Sequence, residues 1–413
     1  MTEPVRGLLR PRGLALVATM SLAATLALAG PAAGAAAASA ATLTIGIVQR
    51  ADDDRLDPAR VALAYPGQPG GRARDGVDVA IEESRFALAA AGLQVQVTLR
   101  DAASAQEAAE QLRQMDQGGA AAALLDLPAA WIAPAVSSMH TLPLINVGES
   151  AEAARQLGCS ANLFHTLPSD RMRADAVAQA LLARKWTRVL LVHGPGAQDA
   201  ARLALAQAAL KRYGLKQVAA RPFRLSADPR EREQANPLLL TAPAAVGGDY
   251  DVVWAVDSDG EFARTLPYRL ALPRPVVGDA GLTAQAWAPH FERYGAPQLA
   301  RRFARAAQRP MTGHDWAAYI AAKALLQAAL EPSGAPTSAR LGAALGRPDF
   351  TLDGFKGVRL SFRAWDHQLR QPLLLTDGVG VIGTAPVEGV LHPKNVLDTL
   401  GTDAPESPCR SAP

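Results

Sequence analysis

Apolar and polar positions along the chain follow two alternating periods. Leu43-Thr-Ile-Gly-Ile-Val48 is a short, β-rich apolar run, the pattern of a strand buried on both faces. A loop rich in Asp, Pro and Gly follows over 51–71, and helical spacing then runs from about Ala73 to Ala91. Leu93–Leu99 alternates apolar and polar residues as a second strand. Ser104 stands three residues before Glu107, a capping box that opens a helix over 105–117, and Gly118-Gly119 ends it. Ala120–Leu125 and Pro143–Val147 read as the third and fourth strands. The rhythm repeats with helix 172–185, strand Arg188–His193, helix 197–213, strands Gln217–Phe223 and Asp251–Val256, and helix 260–268. Helical spacing dominates 297–330. Residues 351–385 read as hairpin strands around Trp365-Asp-His-Gln-Leu-Arg370, and the tail from Ala385 is Pro-rich and irregular. This order predicts an α/β protein in which parallel sheets are flanked by helices.

Length divides the pattern. A single core rarely grows past ~250–300 residues, so 413 residues predict two domains. Two successive α/β units predict two lobes with a cleft between them, and ligands of open parallel sheets sit at the carboxyl ends of the strands. With 49% apolar and 20% charged residues, the chain is not a disordered one. The 34 glycines and 30 prolines show no period, which excludes collagen. A formal charge of +3, dispersed along the chain, excludes a nucleic-acid partner. Two cysteines exclude a disulfide scaffold and a cysteine-rich metal module.

The N-terminus reads as an export signal. Arg6, Arg10 and Arg12 face a lone Glu3, and an uncharged apolar run follows from Leu14 to Ala29. Its 16 residues fall short of the ~20 that span a bilayer. Ala38-Ser39-Ala40 fits the cleavage pattern, so residues 1–40 are expected to be removed as a signal peptide; an uncleaved anchor is the competing reading. No cysteine near that site supports a lipid anchor. The mature chain is expected to be exported, to the periplasm, with a net charge of about +1 (3 − 3 + 1).

Several residues invite chemistry. Asp52, Asp53, Asp54 and Asp57 crowd the first loop and could hold a hard cation through oxygen ligands, but the spacing is not that of an EF-hand and a solvated acidic loop is the simpler reading. His165 and His193 end strands, without the paired Cys/His spacing of a zinc site. Gly194-Pro-Gly196 precedes a helix but lacks the Lys-Ser/Thr of a phosphate loop, and reads as a turn. Asp257, Asp259 and Glu261 could be an acid/base pair or, preferably, acids in a first helical turn. Trp131 and Trp287 suit either ligand walls or core, and Arg301, Arg302, Arg305 and Arg309 suit a solvated helix face. No G-x-S-x-G or H-E-x-x-H string is present and no nucleophile, base and orienter assemble. No catalytic residue, metal or cofactor is expected.

Longer strings carry more information. The opening strand LTIGIVQR, the turn Leu125-Asp-Leu-Pro-Ala-Ala-Trp131, Pro143-Leu-Ile-Asn-Val-Gly-Glu-Ser150, Leu163-Phe-His-Thr-Leu-Pro-Ser-Asp170 and the hairpin Gly354-Phe-Lys-Gly-Val-Arg-Leu-Ser-Phe362 together resemble the type I periplasmic binding proteins of the branched-chain amino-acid class, which serve ATP-driven importers. The resemblance covers nearly all of 41–380. Gly158–Ser169, Leu266–Pro275, Phe355–Asp366 and the tail through Leu397-Asp-Thr-Leu-Gly401 and Glu406-Ser-Pro-Cys409 resemble one subgroup, the component linked with pyrroloquinoline-quinone-dependent alcohol dehydrogenase systems.

This resemblance implies a first lobe over 41–165 and 258–346, a second over 166–257 with a hairpin at 347–384, and a tail at 385–413. It implies a monomeric, non-enzymatic solute carrier whose partners are a small-molecule ligand and the permease and ATPase of an ABC transporter. An α/β enzyme, or a non-transport accessory or sensor of the alcohol-oxidising system, are the alternatives. The ligand positions of the family fall on Leu127, Pro128 and Ala129, on Asn146, Gly148 and Ser150, and near Gln198, Ser258 and Ala280, with Asp279 alongside. The first turn has lost its hydroxyls, both second-lobe aromatics are missing, and the acid is displaced. A buried α-amino acid needs both its ions paired, since an unpaired ion costs several kcal/mol, so these positions do not suit leucine. Cys159 and Cys409 lie within strings shared with the subgroup, and export would place both in an oxidising compartment. A bridge between them is expected; its loop of about 250 residues would stabilise by roughly 5 kcal/mol in the chain-entropy model.

Overall fold

A computed structural model describes residues 41–157, 162–332 and 334–409. The export segment 1–40 and Cys159 lie outside the described residues. The chain begins with strand β1 (Ala41–Arg50), the short helix α1 (Pro58–Leu63) and helix α2 (Ala73–Ala90). Strand β2 (Leu93–Ala102), helix α3 (Ala105–Gln117), strand β3 (Ala122–Asp126), helix α4 (Ala129–Ser137) and strands β4 (Leu144–Asn146) and β5 (Leu163–His165) follow. The five strands form one parallel sheet in the order β2-β1-β3-β4-β5. Leu43, Ile45, Ile47 and Leu124 fill one core on this sheet, while Val48, Ala123, Leu125 and Leu144 fill another. Gly46 is part of the reason α3 can lie close, because a Cβ there would sit 2.5 Å from the Met115 sulfur. Ser104 caps α3 by accepting from the Glu107 N–H, as the capping box predicts.

The second unit contains helix α5 (Asp170–Ala183), strand β6 (Arg188–His193), helix α6 (Ala197–Arg212) and strand β7 (Lys216–Pro222). Three short helices follow, α7 (Pro229–Gln234), α8 (Pro237–Thr241) and α9 (Pro243–Val246), and then strands β8 (Val252–Val256), β9 (Val276–Gly278) and β10 (Thr283–Gln285). Its parallel sheet runs β7-β6-β8-β9. The chain then returns to the first core with α10 (Ala296–Ala307), α11 (Gly313–Leu330) and α12 (Ser338–Gly346). A small antiparallel sheet of β11 (Leu352–Asp353), β12 (Arg359–Phe362) and β13 (Leu369–Arg370) packs on the same core. Strand β14 (Leu373–Thr376) pairs with β10 on one side and with β15 (Val381–Ala385) on the other, and the two bury Leu373, Leu375 and Ala385 in the second core.

Two segments lie elsewhere than the sequence suggested. β9 is the edge strand of the second sheet, and Leu266 and Ala280 are in its core, so 258–282 stays with the second lobe instead of passing to the first at 258. The helix expected over 260–268 is a 3-10 turn over Ala263–Tyr268, with Pro267 inside it. Residues 347–370 pack on the first core, and only the later strands of that hairpin region join the second. The Pro-rich tail is also more ordered than its composition implies. Arg363, 1% exposed, donates to Asp398 (3.0 Å) and to the carbonyls of Leu397 and Leu400, while Gly401 N–H donates to Asp175 on α5 at 2.8 Å.

Three chain crossings join the lobes, and a buried polar cluster holds two of them in register. Gln371 donates to the Thr166 carbonyl at 2.8 Å, and Gln368 donates to the carbonyls of His165 and Leu167. Arg155, also buried, donates to Leu167 O (2.7 Å), Glu149 O (2.6 Å), Ala151 O (3.2 Å) and Gln368 Oε1 (3.1 Å). A guanidinium's fixed fork of donors suits such a set of carbonyls.

Candidate functional site

The carboxyl ends of β1, β3 and β4 form the first-lobe wall of the cleft. Asn146, fully buried at the end of β4, shapes the loop beyond it. Its Oδ1 accepts from Gly148 N (3.3 Å) and Glu149 N (3.0 Å), and its Nδ2 donates to Glu149 O (2.8 Å) and lies 3.0 Å from His165 Nδ1. The loop so formed turns Glu149 back onto α4. Glu149 Oε2 accepts from Ala129 N and Oε1 from Ala151 N, both at 2.7 Å. A helix N-terminus presents unpaired N–H groups and attracts anions; here the chain's own carboxylate occupies it.

Arg55 closes the neighbouring gap. It donates to Asp53 (Nη2–Oδ2 2.7 Å, Nε–Oδ1 2.9 Å), to Asp126 Oδ1 (2.8 Å) at the end of β3, and to Gly148 O (3.1 Å). Desolvation alone would lower its pKa, but Asp126 and Asp53 more than reverse this and hold it above the ordinary arginine range. Asp53 is driven up by burial and brought below the usual carboxylate range by Arg55. Gly148 admits no side chain, since a Cβ would collide with the Asp126 carboxylate.

The second-lobe wall comes from α5, α6 and the ends of β8 and β9. Asp199 organises part of it, accepting from Gly196 N (3.0 Å) and from Ser258 N (2.7 Å). Gly194-Pro-Gly196 is thus a turn that caps α6, as its lack of a Lys-Ser/Thr suggests. Arg202 lies 3.4 Å from Asp170 and 3.4 Å from Asp279, and Arg173 approaches Asp170 no closer than 4.0 Å. Burial lowers the pKa of Arg173, whereas for Arg202 the desolvation is outweighed by Asp170 and Asp279, which raise it. Burial also raises the pKa of Asp279, against the pull of Arg202.

Two adjoining cavities lie between these walls. Leu127, Pro128, Gly148, Ser150, Gln198 and Ser258 all line the larger, of about 380 Å³. Asp279 lines the smaller, of about 60 Å³, whose apolar surface comes from Tyr65, Val177, Trp254 and Val256. Gly67, Gln68, Arg173 and Arg202 border both. Ala129 and Asn146 lie behind the walls, the first as donor to Glu149 and the second as loop support. The 51–71 loop crosses the opening. Arg60 pairs with Asp259 at 2.6 Å, and Gln68 donates to Ser258 O at 3.3 Å.

The other candidates divide. Asp52, Asp54 and Asp57 are exposed and Asp57 caps α1, so most of the acidic loop is a solvated, capping one; among the described residues no cluster of His, Cys, Asp or Glu could hold a metal ion. Asp257 accepts from Ala263 N at 2.8 Å, a capping role, and Glu261 is exposed. His193 is half-buried with Nδ1 3.0 Å from its neighbour's carbonyl oxygen. Trp287 is core, and Trp131 packs half-buried beside α4's core. Arg301 and Arg305 are exposed and Arg302 pairs at the surface with Glu83, but Arg309 departs from the solvated face. It bridges Asp75 (2.6 Å) and the buried Asp315 (2.7 Å), joining α2 to α11. Sequence reading passed over Arg55, Glu149, Arg173, Arg202 and His314, the last hydrogen-bonded to the Gly148 backbone and bordering the larger cavity. Their one signal is position, just beyond strand ends or within the first two turns of α5, α6 and α11.

Residues 64–246 match the family model described as periplasmic binding protein. Among solved structures, the chain is similar to a periplasmic binding protein from Burkholderia mallei, with TM-score 0.62 and 14% identity over 90% of this chain and 99% of that one. It is similar to a branched-chain amino acid ABC transporter periplasmic ligand-binding protein from Burkholderia xenovorans (TM-score 0.67, 17% identity, 83% and 95% covered). A third is a solute binding protein of an ABC transporter from Rhodopseudomonas palustris, in complex with 3,4-dihydroxy benzoic acid (TM-score 0.60, 11% identity, 81% and 92% covered). The fold is that of the two-lobed type I periplasmic binding proteins. A comparison with the curated proteins finds no match.

Two predictions follow from the first-lobe wall. Arg55→Ala strands two buried carboxylates, Asp53 and Asp126, and should destabilise by about 3 kcal/mol, with Arg55→Lys recovering part; urea unfolding measures both. His165 and His314 are each held neutral by burial, their pKa values well below the ordinary imidazole range, with nearby Arg155 and Arg55 adding to the effect. A group whose folded pKa is depressed stabilises fully above its unfolded pKa and loses that contribution as pH falls, here by about 1.4 kcal/mol per pH unit for each imidazole below about 6.5. The stability advantage of the wild type over His165→Gln should therefore shrink between pH 7 and pH 5; an advantage constant with pH would refute the assignment.

Proposed function

We propose that this chain is the exported solute-binding component of an ABC transporter, which captures a small ligand between its lobes and presents it to a membrane permease and ATPase. The observation that carries the reading is the placement of the two cavities. Residues from the carboxyl ends of both parallel sheets converge on them, and the 51–71 loop, through Arg60–Asp259 and Gln68–Ser258, spans the opening. Hinge closure around a ligand is what such a frame permits. The family match over 64–246 and the fold shared with ABC transporter binding proteins support the same role. The chain acts as a monomer and leaves its ligand chemically unchanged.

A narrower assignment, to a pyrroloquinoline-quinone-dependent alcohol-oxidising system, rests on the subgroup strings, Gly158–Ser169 and Phe355–Asp366 among them. A leucine-like ligand fits poorly, because Glu149 already takes the α4 N-terminus and Leu127-Pro128-Ala129 offers no hydroxyl. The proposal includes a Cys159–Cys409 disulfide that ties the tail back near the first crossing. Cys409 is buried, and no cysteine among the described residues is free.

The mature protein screened by thermal shift against amino acids, short alcohols and acids, quinone cofactors and metal ions should respond to one class. A ligand at 100 times its Kd stabilises by about 2.7 kcal/mol, and mass spectrometry of the released ligand should find it intact. No response across the library, or a converted product, would refute the carrier role. Non-reducing mass spectrometry of periplasmic material should recover one cross-linked peptide pair containing both cysteines, and two free thiols would sink the bridge.

A further inference from the structure

The donors bordering the cleft are unevenly used. On the first lobe, Arg55 is saturated by Asp53, Asp126 and Gly148 O, and the α4 N-terminus is taken by Glu149. On the second lobe, the Arg173 guanidinium makes no hydrogen bond among the described residues, its nearest acid being Asp170 at 4.0 Å. Arg202 has only two long contacts, 3.4 Å each, to Asp170 and Asp279. The Nε atoms of both arginines are buried without an acceptor. A guanidinium carries five N–H donors, and a buried donor left unpaired costs about 1–3 kcal/mol. Asp170 and Asp279 act on both arginines, but Asp170 stands 3.4 Å from Arg202 and 4.0 Å from Arg173, and Asp279 is partly engaged in accepting from Asp257 N (2.9 Å).

These underused donors sit where a ligand would reach them, since Arg173 and Arg202 border both cavities. Trp254, Val177 and Val256 supply apolar surface beside them, and Gly67, at φ +79°, brings loop backbone over the Arg173 head. Resting on the solute-carrier reading above, we infer that the ligand is a small organic acid whose carboxylate is received by Arg173 and Arg202 of the second lobe. Planar forks of this kind bind carboxylates in bidentate fashion. The apolar body of the acid lies toward Trp254, and closure of the 51–71 loop covers it.

The test uses the mature chain, residues 41–413, in calorimetric titration and thermal shift. The probes are benzoate, succinate, pyruvate and lactate, each beside its neutral amide, with leucine, inorganic phosphate and sulfate as further arms. At least one carboxylate should raise the melting temperature while its amide does not. Arg173→Gln should weaken that carboxylate at least 100-fold and leave the ligand-free melting temperature unchanged or higher, because it removes a largely buried cation whose nearest acid among the described residues stands 4.0 Å away. Arg173→Lys, which keeps the charge but not the fork, should bind at an intermediate level, and Arg202→Gln should also weaken binding. A response to leucine, to the amides or to inorganic anions alone would overturn the inference and leave the carrier reading standing. Carboxylate binding unchanged in Arg173→Gln and Arg202→Gln would do the same. No response to any probe would overturn both.

Discussion

A buried cation held by backbone carbonyls fixes the first crossing between the two lobes against the loop after β4 and the small sheet. The Arg155 guanidinium spends its donors on three backbone carbonyls and one side-chain amide, drawn from the loop after β4, the first crossing and the small sheet that precedes the last crossing. Burial pulls its pKa below the ordinary arginine value, and the ring of carbonyls offsets that penalty only while all of these segments keep their positions. The geometry of the loop that carries Gly148, Glu149 and Ser150 therefore depends on the hinge. Anything that altered the crossings would move the cavity wall as well.

The same loop explains why the first lobe is chemically quiet. Strand ends gather unpaired N–H groups and helix N-termini, which makes them natural places for an anion. In this chain the vacancy is filled from within, by Glu149 on α4 and by Arg55 between β1, β3 and β4. Charge that would meet a ligand on the first lobe is neutralised in place, and the less satisfied groups lie on α5 and α6. The cleft thus has one rigid, self-paired wall and one wall with donors in reserve.

The alternation of strand and helix was legible because burial on both faces of a parallel sheet leaves continuous apolar runs such as Leu43–Val48, and because Ser104–Glu107 capping is local. Segment 258–282 was not, since its one strand, the three-residue β9, is too short to carry a period of its own and gains its place by pairing with β8, while the turn over 263–268 contains Pro267. Of the nine ligand positions taken from resemblance, six line the larger cavity. The charged groups that define its chemistry were hidden for a different reason. In sequence, Arg173 or Glu149 looks like any solvated charge; only the fold shows that the first stands 4.0 Å from its nearest acid among the described residues and that the second takes up the α4 N-terminus. Arg309 taught the same lesson in reverse, a member of an apparently exposed arginine row that turns inward to Asp315.

The tail fastens the lobes from a second direction. Arg363, on the small sheet of the first lobe, grips the Leu397–Leu400 turn, while Gly401 N–H and Glu406 attach the same stretch to Asp175, Arg171 and Arg212 on α5 and α6 of the second. Three peptide crossings alone leave a two-part body free to bend, slide and rotate about its long axis. An added strap anchored on both parts removes torsional freedom and leaves a clamshell swing as the soft mode. Any movement of one jaw against the other would then follow the same line each time.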